Sequence, residues 1–586
     1  MAKKFGYMLE QQKKGGIWSS IIISFFTASI CYMIVYKCFP MVYAINDDVA
    51  MRDIASGAFS GEPDAHLIFM KYVLGVLLSG IYRIFPGYDW YGILMTGLIV
   101  LCLGIFVYRG LSDIDDWKKK GCYLIGLLVI FACVGLQHLV IFQWTMTAGI
   151  TGATGVFLFY TSSEKNKWRN ILEEIVGALL LILTFCIRSD VLFMVAPAAG
   201  LCYLFKYVKM KGGERRRLYI QHAWFAVLLI GGCAAVMLIE KTAYQSEAWK
   251  EFQAFNNLRS EVYDFYGIPD FEENQDFYES INMDECEVQA LENYSLFLVD
   301  GIYEYKMKEI ADYARSITDK AGIIKRLNVG VQRVYSDFKS GTYVPLTWFT
   351  AIITILAVWV CWKRNSKQFY LIFACMGVQF LLWCYLGLQG RIVGRVSYAM
   401  HLYMLILAFS VLYWEMVKNP DQQIRGWRRE SGILLGICSV LLCTIALLEW
   451  NELKQDALQI AKRNQENIEL SRYLTDQKEN VYLAHTYSIS HYTDNFRFRR
   501  EFEFSNIVPF GDWQTYSPIE MKKRERLGIS DTRNDLYTQK DVYIVSRFDM
   551  TYVEECLQKA YGSCHAENAD VVAFRDYLYW IIKYSE

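Results

Sequence analysis

Long apolar runs alternate with polar connections, all short except 241–343 and the stretch after the first run, through the first 450 residues, after which the pattern changes. Apolar runs of roughly 17 to 25 residues can each cross a bilayer as a helix, and about eleven meet that description. They cover residues 17–44, 90–108, 122–138, 141–160, 171–187, 191–207, 223–239, 344–362, 369–386, 396–413 and 433–450. A further run, 66–85, carries Lys71, Tyr82 and Arg83 between "EPDAH" and "FPGYDW". The orientation of everything after it depends on whether it crosses.

Positive charge decides between the alternatives. If 66–85 lies along or dips into the outer surface, "KKFGYMLEQQKK", "DDWKKKG", "SSEKNKWR", "KYVKMKGGERRR", "KRNSK" and "KNPDQQIRGWRRE" all face the cytoplasm. The N-terminus is then inside. The loop after the first span, the Arg188/Asp190 turn, residues 241–343, Arg391/Arg395 and the tail from 451 onward are outside. The first run is too long for a removed signal peptide and lacks a small-residue cleavage site.

The exterior stretches differ from each other. Residues 241–343 are rich in acids and aromatics, as in "EVYDFYGIPDFEENQDFYESINMDECE", and continue into the amphipathic "YEYKMKEIADYARSI", which predicts a mostly helical cap. In the tail, a polar helix over 452–474 precedes strand-like "NVYLAHT" and "DVYIVSR", a helix "TYVEECLQKAYG" and a strand "ADVVAFRDY". The expected fold is mainly α, a polytopic helical bundle with a small extracytoplasmic α/β domain. Its parts are a transmembrane module (1–240) whose first external loop is 45–89, a helical cap (241–343), further transmembrane helices (344–450) and the α/β domain (451–586).

Composition agrees with this plan. The chain is 54% hydrophobic and 16% aromatic yet 21% charged, with a net charge of −1, which suits a cell-membrane protein with sizeable wet parts. A nucleic-acid partner would leave a basic excess, and none is present. Of sixteen cysteines, only Cys286, Cys556 and Cys564 fall in the expected exterior. No CxxC or Cys/His spacing calls for structural zinc. A Cys556–Cys564 disulfide and two free thiols both fit the tail.

The chemistry concentrates after the first span, where Asp47, Asp48, Asp53, Glu62, Asp64 and His66 fall within twenty residues. Carboxylates at a membrane edge mark a pathway, a pair or a reaction site. The plainer alternative is a solvated helix end with Asn46 as its cap. Arg391 and Arg395 stand one helical turn apart at the same face, either as phosphate ligands or as helix anchors. Arg188 and Asp190 can simply pair with each other.

The loop "NDDVAMRDIASGAFSGEPDAHLIFMKYVLGVLLSGIYRIFPGYDWYG", with "QWTMTAGITGA", "IRSD" and "GRIVGRVSY", resembles the GT-C class of integral-membrane glycosyltransferases of Gram-positive bacteria. Shared features are a long first span, an acidic pair at its outer end, an external loop with a membrane-parallel helix, and a C-terminal ectodomain. The likeness covers most of the membrane portion through short motifs.

It implies a polyprenyl-phosphate-linked sugar as donor, membrane lipid around the site, and a cell-envelope glycan, polymer or protein as acceptor. It also implies inversion at the anomeric carbon. Asp47 would be the general base, with Asp48 as second candidate, since consecutive helical residues project about 100° apart. Arg391, Arg395, Arg188 and His66 would hold the donor phosphate, His66 alternatively capping the membrane-parallel helix. Asp53, Asp190 and Trp513 would contact substrate, Trp513 alternatively being a buried structural aromatic. No ligand spacing demands a divalent metal, so the cofactor is left open. The rival functions are a transporter or flippase of lipid-linked glycan, and a non-enzymatic membrane scaffold; no P-loop is present.

Overall fold

The structure is a computed structural model that describes residues 2–586, except 163–166, 209–212, 390–392, 419–426, 490–492 and 497–503; within 320–343 it describes 324, 327–328, 331–332, 335–336 and 339. The fold is mainly helical. Among the described residues, eight helices are long and apolar enough to cross a membrane: Trp18–Cys38, Trp90–Asp113, Trp117–Val140, Trp168–Ile187, His222–Ala243, Pro345–Lys363, Gln368–Leu388 and Gly394–Val417. Each coincides with an expected run.

Three expected runs behave differently. Residues 191–207 fall in the shorter apolar helix Ser189–Phe205. Residues 433–450 lie inside one helix of 50 residues, Trp427–Asp476, which at 1.5 Å per residue is about 75 Å long. The polar helix expected at 452–474 is therefore the continuation of this apolar segment. Residues 141–160 become the strand Ile141–Phe142 and the helix Trp144–Thr161, in which every residue except Ile150 is buried.

The burial of Trp144–Thr161 explains its composition. Its threonines return hydroxyl hydrogen bonds to their own helix, Thr151 to Thr147 O at 2.7 Å and Thr154 to Ile150 O at 2.6 Å, so these hydroxyls are satisfied within an apolar interior. A Cβ on Gly155 would stand 2.9 Å from Gly177 O, which shows how closely this helix crosses Lys167–Ile187. Small residues at that crossing let the backbones meet.

The outer helices show the reverse pattern. Trp18, Ile22, Phe26 and Ile34 on the first span, Trp224 and Ile230 on His222–Ala243, and Phe380 and Leu381 on Gln368–Leu388 are exposed. An apolar belt of this size is unstable in water and is what a lipid-facing surface requires. A largely buried ion network ties the helices Trp90–Asp113 and Lys167–Ile187 together, with Arg109 Nη1–Glu173 Oε1 at 2.8 Å, Arg169 Nη2–Asp113 Oδ1 at 2.6 Å and Arg169 Nε–Glu173 Oε1 at 2.7 Å.

The run 66–85 yields the helix Tyr72–Ile84, 13 residues long. At about 20 Å it is shorter than the ~30 Å hydrocarbon core. Its start is held by other elements. Glu240 Oε2 accepts the Tyr72 N–H at 2.7 Å, and Cys186 O accepts the Lys71 N–H at 2.8 Å.

The helices of the cap run from Glu247–Ser260 to Met307–Asp319. The tail carries a five-stranded sheet in the order Ile507–Pro509, Val481–Ala484, Val542–Ser546, Tyr577–Ser585, His565–Phe574. The first three are parallel and the last two complete an antiparallel edge. Cap and tail share one apolar core, in which Phe255, Val288, Leu291 and Ile310 pack with Leu483, Val508, Ile544 and Val553. The disulfide considered for Cys556 and Cys564 is not formed; both are free thiols.

The tail is also stitched to the bundle. Tyr43 N–H donates to Asp494 O at 3.0 Å and Phe496 N–H to Met41 O at 2.8 Å, while Val42–Tyr43 pairs in parallel with Ile141–Phe142. The end of the first span, the start of the buried helix and the tail thereby meet at one point.

Candidate functional site

That meeting point carries the acidic pair. After the strand Val42–Tyr43, Ile45 is extended and the helix Asn46–Ser56 begins, placing Asp47 and Asp48 in its first turn, where the helix dipole favours negative charge. The helix stops at Gly57, whose φ of 89° is left-handed and whose added Cβ would meet Pro63 N at 2.7 Å, so only glycine fits this close return.

The two carboxylates point apart, as their spacing predicts. Asp48 is fully buried; its Oδ1 accepts from Tyr91 OH at 2.8 Å and from the Trp144 N–H at 3.2 Å. Burial pushes its pKa well above the usual carboxylate value. Asp47 keeps 15% of its side chain accessible and stands 3.5 Å from Arg395 Nη1. Burial also raises the Asp47 pKa, opposed chiefly by the fields of Arg395 and then Arg188, with Asp264 raising it and Arg259 lowering it further.

Four parts of the chain supply these neighbours. Arg395 sits in the first turn of Gly394–Tyr413, and its Nε is buried with no hydrogen-bond partner. Arg188 follows the helix Lys167–Ile187; its guanidinium lies 4.4 Å from the Trp144 ring centroid and its Nη2 lies 3.5 Å from Asp190 Oδ2. The cap brings Arg259, whose Nε donates to Asn256 Oδ1 at 2.9 Å, and Asp264 in the π-helical turn Glu261–Tyr266. The tail brings Asp512, whose pKa burial raises to about 7. Three arginines and two acids, Asp264 and Asp512, thus gather around Asp47.

An aromatic column frames this group. Phe69 stacks on Trp144 at 5.9 Å and contacts Trp513 at 4.4 Å between ring centroids. Trp513 is buried, so it serves as packing between the tail and the loop. Arg52, also fully buried, ties the same region together. It chelates Asp53 through Nε at 2.9 Å and Nη2 at 2.8 Å, and reaches Asp494 at 3.0 Å and Asp89 at 3.8 Å through Nη1. Asp53 is therefore engaged by an internal guanidinium.

His66 stands in another environment. Its Nδ1 meets Asp64 Oδ1 at 2.7 Å, its Nε2 meets Ala243 O at 3.4 Å, and its ring stacks on Trp249 at 4.7 Å. Both ring nitrogens are occupied by protein oxygens, which leaves none for a phosphate. Arg391 lies outside the described residues. The structure thus brings together Asp47, Asp48, Arg188, Arg395 and Trp513, and sets His66 apart.

No protein-family model, curated protein or solved structure matches this chain. The reading of the site therefore rests on its own residues.

Sequence reasoning overlooked Arg52, Tyr91, Trp144, Arg259 and Asp512. Arg52 had a signal, a lone arginine inside "DDVAMRD" at the mouth of a span, where an unpaired cation would be costly. Asp512, in "FGDWQTYSP", lies 465 positions from Asp47, and only folding brings them near. Among the described residues, no group of three or more His, Cys, Asp or Glu side chains is arranged to hold a metal ion. Chemically, the site offers an accessible carboxylate of raised pKa beside fixed guanidinium groups, enclosed by the bundle, the cap and the tail.

Proposed function

We propose that this protein is a GT-C-like membrane glycosyltransferase with eleven spans and its N-terminus in the cytoplasm. It moves a sugar from a polyprenyl-phosphate donor to an extracytoplasmic cell-envelope acceptor with inversion. The observation that carries this reading is Asp47, accessible and 3.5 Å from Arg395, with Arg188 beside it.

An acceptor hydroxyl attacking the anomeric carbon must lose its proton, and a carboxylate whose burial raises its pKa is a stronger base for it. As the new C–O bond forms, the bond from the anomeric carbon to the phosphate oxygen breaks. Polyprenyl phosphate leaves with the electron pair, and Arg395 and Arg188 meet the developing charge. Asp48 is a positioning residue, fixing the helix start through Tyr91 and the Trp144 N–H. The helix Tyr72–Ile84, too short to span, lies at the outer surface, where a lipid-linked donor arrives from the bilayer.

The test uses purified full-length protein in lipid nanodiscs with a panel of polyprenyl-phosphate-linked hexoses and envelope glycan acceptors. Release of polyprenyl phosphate with formation of a glycosylated acceptor is expected for one donor. No release from any donor, with the folded protein instead moving lipid-linked glycan between leaflets, would replace this reading with the flippase.

A further inference from the structure

The cap and the tail meet along two helices, Glu285–Glu292 and Thr551–Tyr561. Lys559 joins them, reaching Asp284 Oδ2 at 2.6 Å and Glu287 Oε2 at 3.1 Å. The carboxylate of Glu287 is held in turn by Lys306 at 3.3 Å. Polar pairs at one end of the contact and Val288, Leu291, Val553 and Leu557 in the shared core fix the two helices against each other.

Cys556 lies three residues, or about one turn, before Lys559 on the same face, and Cys286 lies between Asp284 and Glu287. Cys286 Sγ and Lys559 Nζ both reach the Asp284 carboxylate, which places Cys286 beside the turn of Thr551–Tyr561 that carries Cys556. Cys286 Sγ donates to Asp284 Oδ1 at 3.1 Å. Both cysteines are buried and both are free. Cys564, eight residues further on, sits past the helix end, and its carbonyl accepts from Gln558 Nε2 at 2.9 Å.

We infer that Cys286 and Cys556 form a disulfide that cross-links the cap to the C-terminal domain. Two thiols in one buried core, on adjoining turns of two packed helices, can reach bonding geometry through side-chain rotation. The oxidant is a small-molecule disulfide. The thiolate of Cys286, the more accessible of the two, attacks one sulfur of that disulfide and releases one small thiol. The Cys556 thiolate then attacks the mixed disulfide, forming the Cys286–Cys556 bond and releasing the second small thiol. The two electrons and two protons end on the two released thiols. Under the topology proposed above both helices stand outside the cell, where such bonds persist. Bond formation in the purified protein is independent of that topology.

The link encloses 269 residues between its ends, counted from positions 286 and 556, and holds the roof of the site to the body that supplies Asp512. The experiment treats full-length detergent-purified protein with oxidised glutathione, blocks remaining thiols with N-ethylmaleimide and maps peptides by mass spectrometry without reduction. The expected result is one peptide joining Cys286 to Cys556, lighter by about two hydrogen masses than its separate parts. It should persist in Cys564→Ser and vanish in Cys286→Ser and Cys556→Ser. Separately alkylated Cys286 and Cys556 in folded, oxidant-treated protein would overturn the inference, as would a Cys556–Cys564 peptide.

Discussion

Arg395 Nη1 lies 3.5 Å from Asp47 Oδ2, joining the start of the helix Gly394–Tyr413 to the start of Asn46–Ser56 across more than 340 residues of sequence. The adjacent Asp48 turns away into the protein and meets only internal donors. This divergence gives the two acids different expected behaviour on substitution. Asp47→Asn should lower transfer on the order of 10²- to 10⁴-fold, the usual loss for a positioned base, with unchanged thermal unfolding. Asp48→Asn keeps an oxygen for Tyr91 and Trp144 and should keep most activity. Asp48→Ala leaves both donors unpaired and should cost about 1–3 kcal/mol of stability. Turnover and melting of the three variants check this.

Replacing Arg395 by lysine retains the charge and loses the planar fork. Losing one charge-assisted hydrogen bond, worth roughly 1.5 kcal/mol, should weaken donor binding about tenfold. Arg188→Lys should do the same and also loosen the stacking on Trp144. Titration of purified protein with a polyprenyl-phosphate sugar measures both. Unchanged affinity in both would make these arginines helix anchors.

Many of the apolar helices were legible because apolar run length is a local property. All eight apolar helices fall on expected runs, and the short helix Tyr72–Ile84 falls within the run set apart for its internal charges. The buried helix Trp144–Thr161 was legible as apolar, while its central position comes from helix crossings at Gly155 and Gly177 that no periodicity records. In the tail, "NVYLAHT", "DVYIVSR" and "ADVVAFRDY" appear as strands and "TYVEECLQKAYG" as a helix. Ile507–Pro509 and Tyr577–Ser585 were missed, the first for its brevity and the second because its apolar run "YLYWII" does not alternate. At the site, Asp47 was legible as an unexplained charge. Arg259 and Asp512 were not, because each joins the site through tertiary packing alone.

Arg52 should be the most sensitive position outside the proposed chemistry. It compensates the buried Asp494 and Asp89 and the partly exposed Asp53. Removing one partner of such a network typically costs 3–5 kcal/mol. Arg52→Leu should therefore melt far below the parent chain and detach 493–496 from Met41–Tyr43. Thermal unfolding combined with hydrogen exchange at Asp494–Phe496 would register both effects.

Stability should fall with rising pH through Asp512. Its carboxyl has an ordinary value of 3.8 and is raised to about 7 in the fold, mainly by burial. The folded state thus binds a proton that the unfolded chain releases, so this stabilisation is complete below pH ~4 and is lost as pH climbs to about 7. Asp512→Asn should flatten the stability profile across that window. Chemical denaturation at pH 5 and pH 8 for parent and variant is the check.

The shared core predicts the fate of a shortened chain. Truncation after residue 450 removes Leu483, Val508, Ile544 and Val553 from beneath the cap helices. The cap should then unfold, and the truncated chain should run as an aggregate on size-exclusion chromatography. A monodisperse truncated protein with a protected cap would show that the cap folds without the tail.

The central claim is transfer of a lipid-linked sugar with Asp47 as base. It is tested most directly by mass spectrometry of envelope glycans and lipid-linked sugars in a strain lacking this protein, complemented with the parent chain or Asp47→Asn. The account predicts that one sugar decoration disappears, that its polyprenyl-phosphate donor accumulates on the outer leaflet, and that only the parent chain restores the decoration. Equal restoration by Asp47→Asn, or accumulation of the lipid-linked sugar on the inner leaflet, would contradict it.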